Sequence, residues 1–183
     1  MAFNISSFKN NGLFYGGARA SLFEFILSPP LVLSVNASVP LRFTCRAASI
    51  PASTVGQIDV PYFGRKIKLS GDRTFADWSI TVMNDEDYLV RKMFEEWLNV
   101  LNSHEGNKRK KEANFNNYKA PDSTVIHYGK DGDPINTYTF VGLFPTEVSA
   151  MELDWDTTNS IQTFSVNLAY DYWTSTLKSP IIR

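Results

Sequence analysis

Alternating apolar and polar residues predict three strands in the first half of the chain, because successive side chains of a strand point to opposite faces of a sheet. The alternating runs are SLFEFIL (21–27), PLRFTCRA (40–47) and DWSITVM (77–83). In the third run the apolar positions begin with Trp78, which is therefore predicted to lie in the core. The polar positions of that run would form the opposite face.

A hairpin and a further pair of strands are predicted in the second half. STVIHYG (123–129) and NTYTFVGLF (136–144) flank an Asp-Gly pair, which is a strong signal of a tight turn between antiparallel strands. AMELDW (150–155) and IQTFSVNLAYDYW (161–173) form the last predicted pair, since the second of these runs also alternates.

The hydrophobic period changes near residue 84. Apolar residues from Leu89 to Leu101 recur at helical spacing, so one amphipathic helix is predicted over 86–101. Asn84 or Asp85 is the predicted N-cap, followed by acidic residues that suit the positive end of the helix dipole. These strands and one helix predict a mainly β fold, an antiparallel two-sheet sandwich or barrel with the helix on one flank.

Two long connections interrupt these elements. Residues 47–66 are rich in proline and glycine, and a connection of that length is usually functional. Residues 102–122 contain a run of four basic residues and few apolar ones, so they are predicted to form an exposed basic loop.

Length, charge and cysteine content narrow the class of protein. The 183 residues fit a single domain spanning 1–183, and a formal net charge of −1 does not favour a basic nucleic-acid-binding domain. No apolar run is long enough to predict a membrane span, and no secretory signal is recognisable. The single Cys45 cannot form an internal disulfide, which favours a reducing compartment.

Residues that could carry catalysis or bind a metal are sparse. His104 and His127 have no second ligand at suitable spacing, and Asp154 and Asp156 lack the glycine and glutamate of a calcium loop. Cys45 alternates with arginines that could activate a thiol, but it shares an apolar strand face and is predicted to be buried. No nucleophile elbow or phosphate-binding loop is present. The prediction is a protein that is not an enzyme and uses neither a metal nor another cofactor.

Three blocks of the sequence resemble a known family. ARASLFEF (18–25), FGRKIKLSGDRTFADWSITVMND (63–85) and GLFPTEVSAMELDWDTTNSIQTFSVNLAYDYW (142–173) are similar to the tail tube proteins of T-even-type contractile-tailed bacteriophages. The segments that depart from that pattern are 28–40, 102–122 and 174–183.

The resemblance implies a subunit of hexameric rings that stack into a hollow tube for DNA passage, enclosed by a contractile sheath. The implied partners are other copies of the chain, the sheath protein, baseplate and tail terminator proteins, and passing DNA without sequence specificity. No membrane insertion is expected. The implied location is the virion, after assembly in the host cytoplasm. Two alternatives stay open: a tube subunit of a bacterial contractile injection or secretion system, and a small β-sandwich enzyme or carbohydrate-binding module.

One set of residues is predicted to form contacts between rings or subunits. The segment 47–66 is placed between rings because its apolar residues have too little sequence around them to build a core. Asp72 and Arg73 are interpreted as a charged turn or an inter-subunit pair, and the arginines of 40–47 as interface residues paired with acids such as Glu24 or Asp72. The full set is Ile50, Val55, Ile58, Val60, Tyr62, Asp72, Arg73, Arg42 and Arg46.

Two further sets are assigned to the inside and the outside of the tube. A wall that DNA slides past should lack basic stripes, because arginines would pair with phosphates. The lumen candidates are Asp77, Ser79, Thr81, Thr163, Ser165 and Asn167. The alternative is that this polar face covers a subunit interface. The helix is placed on the outer flank, and the sheath-facing candidates are Glu95, Glu96, Lys108, Arg109, Lys110 and Lys111.

Overall fold

The computed structural model describes residues 4–11, 13, 16–114 and 116–177 of the chain. Within those residues the elements are α1 (Ile5–Asn11), β1 (Phe23–Ile26), α2 (Ser38–Thr44), β2 (Cys45–Ala48), β3 (Thr54–Tyr62), β4 (Arg65–Thr74), β5 (Trp78–Met83), α3 (Leu89–Leu101), β6 (Ala120–Tyr128), β7 (Pro134–Val148), β8 (Thr163–Ala169) and β9 (Tyr172–Leu177).

Strand β7 belongs to two antiparallel sheets. Its first half pairs with β6 and β9, and β1 extends that sheet beyond β6. Its second half pairs with β8, followed by β5 and β2. Gly142 lies between the two halves with φ +70°, a conformation that glycine adopts without strain. The predicted mainly β, two-sheet architecture with a flanking helix is confirmed.

Aromatic rings from both sheets meet in the core. The Trp78 ring lies 4.4 Å from that of Phe140 and 5.1 Å from that of Phe25, measured between ring centroids. All three side chains are buried, and the Trp78 indole N–H donates to the Ser49 carbonyl over 2.7 Å, so its polar atom is satisfied. The prediction that Trp78 lies in the core is confirmed.

Helix α3 covers one side of this core. Its buried face consists of Val90, Met93, Phe94, Trp97 and Val100. The helix packs against β7 and α2, and no helix among the described residues has the length and apolar character needed to cross a bilayer. The predicted helix is therefore present on the flank of the sheets.

The start of α3 differs from the prediction. The helix begins at Leu89, and the residue before it, Tyr88, has φ 54° and makes no side-chain capping bond. The backbone N–H of Asn84 instead donates to the Gln162 carbonyl over 2.8 Å, which continues the pairing of β5 with β8. The prediction of Asn84 or Asp85 as the N-cap was wrong, because Asn84 continues the sheet pairing and Asp85 begins a turn in which its carbonyl accepts the Tyr88 N–H over 3.2 Å.

The predicted strand 40–47 was wrong over most of its length. Residues Ser38–Thr44 form α2, and only β2 is extended. Ala37 and Leu41 are buried at helical spacing, whereas Phe43 is 72% exposed, so the run has no common strand face. Cys45 does pack against the core, and burial raises the pKa of its thiol to about 12.

The last predicted pair of strands also needs correction. Residues 150–155 form no strand, and the run 161–173 contains two strands, β8 and β9, interrupted at Tyr170 and Asp171. The interruption lies opposite Gly142, since the Asp171 N–H donates to the Val141 carbonyl over 3.0 Å. The bend between the sheets therefore divides a sequence that alternates without a break.

Candidate assembly surfaces

Residues 47–66, predicted to be a long connecting loop, contain the first strand of a hairpin. Strands β3 and β4 pair antiparallel, with Tyr62 opposite Arg65. The two residues between them, Phe63 and Gly64, both have positive φ, at 43° and 78°. A two-residue loop with this backbone matches the right-handed twist of its strands, which explains why the hairpin closes there.

The two faces of the hairpin differ in character. The apolar hairpin face carries Ile58 opposite Leu69 and Val60 opposite Ile67. The other face carries polar and charged residues, and a salt bridge of 3.3 Å between Lys66 and Asp59. The apolar residues are all exposed.

No other helix or strand in the described part of the chain packs on this hairpin. β3 and β4 contact each other closely but no further element, and every residue of the two strands except Gly71 is exposed. An isolated two-stranded hairpin is only marginally stable in water, and clustered exposed apolar side chains usually mark a binding surface. The hairpin therefore presents a surface suited to a partner.

The predicted contact residues are distributed unevenly over this surface. Val55, Ile58, Val60 and Tyr62 lie on β3, whereas Ile50 is exposed outside the hairpin. Asp72 and Arg73 lie within β4, so their interpretation as a turn was wrong. The sequence analysis missed Phe63, Ile67 and Leu69, although the alternation in KIKLS (66–70) was a usable strand signal.

Arg42 of the predicted interface set is paired within its own chain. Its guanidinium Nε donates to the Glu24 carboxylate, which also accepts a hydrogen bond of 2.8 Å from the Tyr128 hydroxyl. The hydrogen bond from Arg42 is the main cause that holds the pKa of Glu24 below its ordinary value. Arg46 is exposed on β2 and makes no ion pair with the described residues.

Most of the lumen candidates lie side by side on one face of a sheet. Ser79 is opposite Asn167, Thr81 is opposite Ser165, and Thr163 is the first residue of β8. Asp77 is exposed immediately before β5. Within this sheet, β5, β8 and the part of β7 that pairs with β8, residues 78–83, 163–169 and 144–148, contain no Lys or Arg, whereas the edge strand β2 carries the exposed Arg46. The polar face of β5 and β8 is thus neutral to acidic.

The sheath candidates lie on α3 and in the loop after it, and they differ in the contacts that they make within the subunit. Glu95 is exposed and pairs with Arg91 over 2.7 Å. Burial disfavours ionisation of Glu96, but hydrogen bonds from Ser34 and from the Val35 N–H outweigh it and hold the pKa of this carboxyl below its ordinary value. Glu96 therefore braces the backbone before α2, in addition to any external role.

The basic loop is exposed at all four predicted positions, Lys108 to Lys111. It is nevertheless anchored, because Ala113 and Tyr118 are buried against Val100 and the Trp97 indole donates to the Tyr118 carbonyl over 2.7 Å. The Arg109 guanidinium lies 4.9 Å from the centre of the Tyr118 ring. The loop is thus packed against α3 at Ala113 and Tyr118, while its four basic side chains stay exposed.

Neither histidine stands in a metal-binding cluster. His127 Nε2 lies 2.8 Å from the Arg19 carbonyl oxygen. In the residues that the structure describes, no three His, Cys, Asp or Glu side chains are grouped so that they could hold a metal ion.

Comparison with known proteins identifies the family. The family described as phage tail tube protein matches residues 18–176. The chain belongs to this family. The tail tube protein gp19 of Enterobacteria phage T4 is 40% identical over 159 residues, which cover 85% of this chain and 90% of that protein. The tail tube protein of Serratia phage KSP90 is 28% identical over 142 residues, covering 78% of each chain.

Solved structures share the fold of this tail tube family member at low sequence identity. The tube-terminating cap of the anti-feeding prophage has a TM-score of 0.64 at 16% identity and covers 88% of this chain and 92% of its own. A chain of the sheath-tube complex of an extracellular contractile injection system has a TM-score of 0.56 at 15% identity, covering 97% and 100%. These likenesses support the two-sheet fold.

The unsupported hairpin leads to a prediction about local stability. In the dilute, unassembled protein, amide protons of β3 and β4 should exchange at least about tenfold faster than those of β5 and β8, because no other element protects them. Hydrogen exchange followed by mass spectrometry of peptides from the two regions measures this difference. Equal protection would show that the hairpin is stabilised by contacts within the subunit.

Proposed function

We propose that this chain is a structural subunit of a bacteriophage contractile tail tube. Copies assemble in the host cytoplasm into hexameric rings, which stack into a hollow tube in the virion. The sheath encloses the tube, baseplate and terminator proteins close its ends, and DNA passes without sequence-specific contacts. This role requires neither catalysis nor a cofactor. The phage relative at 40% identity favours this role over the alternative tube of a bacterial injection system.

The observation that carries the proposal is the hairpin with an uncovered apolar face. Exposure of Ile58, Val60 and Leu69 to water does not stabilise a monomer. Contact between stacked rings can remove these side chains from water, which is favourable. The hairpin accordingly serves as the contact between rings. Its length and its lack of contacts within the subunit both suit a segment that reaches a neighbour.

Removing the hairpin tests this role. Thr54 and Thr74 face each other in the ladder, so replacing residues 55–73 by Asn-Gly should close a short turn on the remaining pair. The free energy of unfolding should change by less than about 1 kcal/mol, because the hairpin contacts no other element. Filaments should be absent by negative-stain microscopy at high protein concentration.

Two substitution variants complement the deletion. Val60→Thr with Ile67→Thr makes the apolar hairpin face polar and should also abolish filaments. Gln57→Thr with Ser70→Thr changes the opposite face and should leave filaments intact. Filaments formed by the deletion variant would mean that ring stacking depends on another part of the surface.

The polar face of β5 and β8 is proposed to line the lumen. Its hydroxyl and amide side chains offer DNA phosphates no cation to bind, so the passing polymer is not retained. Neighbouring positions such as Ser79 and Asn167 would repeat around the ring and form a continuous neutral wall.

Cysteine labelling distinguishes a lumen from an outer face. In a Cys45→Ala background, Ser79→Cys or Ser165→Cys in assembled tubes should react with a small maleimide but not with a maleimide carrying a large polymer. Both reagents should label the same variants before assembly. Lys108→Cys is the control and should accept both reagents in tubes. Ready labelling of positions 79 and 165 by the large reagent contradicts the lumen assignment.

Helix α3 and the basic loop are proposed to face the sheath. Reversing Lys108, Arg109, Lys110 and Lys111 to Glu should reduce sheath assembly on preformed tubes, because complementary charge promotes association. Tube formation should be unchanged. Cosedimentation of sheath protein with tubes measures the effect, and loss of the tube itself would instead indicate that the loop lies in a subunit interface.

A further inference from the structure

A second exposed apolar region lies far from the hairpin, in the connection between β7 and β8. This acidic loop, residues 149–162, contains Trp155, which is 100% exposed, and Leu153, which is 84% exposed. Glu152, Asp154 and Asp156 are its charged residues, and it contains no Lys or Arg. A fully exposed tryptophan is unusual in a monomer and typical of an interface anchor.

The acidic loop has a defined local structure. The Asp154 carboxylate accepts hydrogen bonds from the Asp156 N–H at 3.0 Å and the Thr157 hydroxyl at 3.2 Å. At its end, the Gln162 side chain donates to the Glu152 carbonyl over 3.3 Å. These bonds hold the backbone on both sides of Trp155, so the indole is presented outward from a short, bonded turn.

The hairpin and the acidic loop are complementary in charge and in apolar character. The hairpin, residues 54–74, contains Arg65, Lys66, Lys68 and Arg73 against Asp59 and Asp72. It is therefore net positive, whereas the acidic loop is purely negative. Both regions also expose apolar side chains that their own subunit leaves uncovered.

The sheet register places these two regions at opposite ends of the same strand. β5 begins at Trp78, shortly after the hairpin ends at Thr74, and it ends at Met83, which pairs with Thr163 directly after the acidic loop. Six residues of strand separate the two ends by about 20 Å. Complementary surfaces at opposite ends of a subunit make head-to-tail contacts, which form a ring if the rotation between copies closes and a filament if it does not.

We infer that the acidic loop of one copy is the docking site for the β3–β4 hairpin of a second copy. The occupant is this chain itself, because the hairpin supplies an apolar face for Trp155 and Leu153 and, opposite Tyr62 on that same face, the Arg65 cation. The inference rests on the proposed function and deepens it, since it names the surface that receives the hairpin.

A charge swap tests the pairing. Arg65→Glu reverses the cation on the apolar hairpin face, since Arg65 lies opposite Tyr62, and leaves the Lys66–Asp59 pair in place. Glu152→Lys with Asp156→Lys reverses the loop and spares the Asp154 bonds. Each of these two variants should raise the protein concentration required for filaments at least about tenfold, because like charges then face each other. Combining the three substitutions should restore assembly to within about threefold of the unmodified chain.

Matched controls carry the same charge changes elsewhere. Lys108→Glu, and Glu105→Lys with Glu112→Lys, alter exposed residues of the basic loop and should leave filament formation unchanged. Pelleting and negative-stain microscopy over a concentration series provide the measurement. Thermal unfolding of each unassembled variant verifies that the fold is retained.

Trp155→Ala supplies a test that does not depend on charge. It should raise the required concentration at least about tenfold without changing the unfolding midpoint, because the indole contacts no core residue. Leu31→Ala, at an equally exposed apolar position, is the control.

The outcomes separate this inference from the proposed function. Filaments from the unmodified chain, together with no rescue by the combined swap or with normal assembly of Trp155→Ala, would overturn the docking inference alone. Failure of the unmodified chain to assemble under any condition would overturn the proposed function and the docking inference together.

Discussion

The fold depends on one strand being shared by two sheets. β7 pairs with β6 and β9 along its first half and with β8 along its second, so the bend at Gly142 sets the angle between the sheets. A β-carbon at Gly142 would clash with the Asp171 carboxylate, whose two oxygens accept hydrogen bonds from Lys119. Because the sheets diverge there, Phe140 and Trp78 can meet between them and α3 can close the remaining side.

The hairpin and the acidic loop are two of the apolar regions that the core leaves uncovered among the described residues. The hairpin extends from one end of β5 and the acidic loop extends from the other, about 20 Å apart along the strand. Ile58, Val60 and Trp155 are exposed in the single subunit, and contact with another molecule is one way to bury their apolar area.

Charged residues next to these exposed apolar side chains reduce the risk of nonspecific aggregation. Lys66 and Lys68 alternate with the apolar residues of β4, and lysines on an exposed strand oppose indiscriminate edge pairing. Acidic residues flank Trp155 in the same way. In protein interfaces generally, such charges add selectivity and orientation, while buried apolar area supplies much of the affinity.

Sequence patterns were sufficient to predict the mainly β class, the core position of Trp78, the amphipathic helix and the hairpin 123–144, because each rests on local periodicity or a turn signal. They also indicated that Val55, Ile58, Val60 and Tyr62 lie outside the core. The fold was needed to show that 54–74 is a hairpin, that 38–44 is helical, and that 161–173 divides at the bend. Short alternating runs do not distinguish strand from helix, and register between distant strands is set by contacts that no local pattern records. For the same reason, only the pairing of β5 with β8 shows that the acidic loop and the hairpin lie at the two ends of β5.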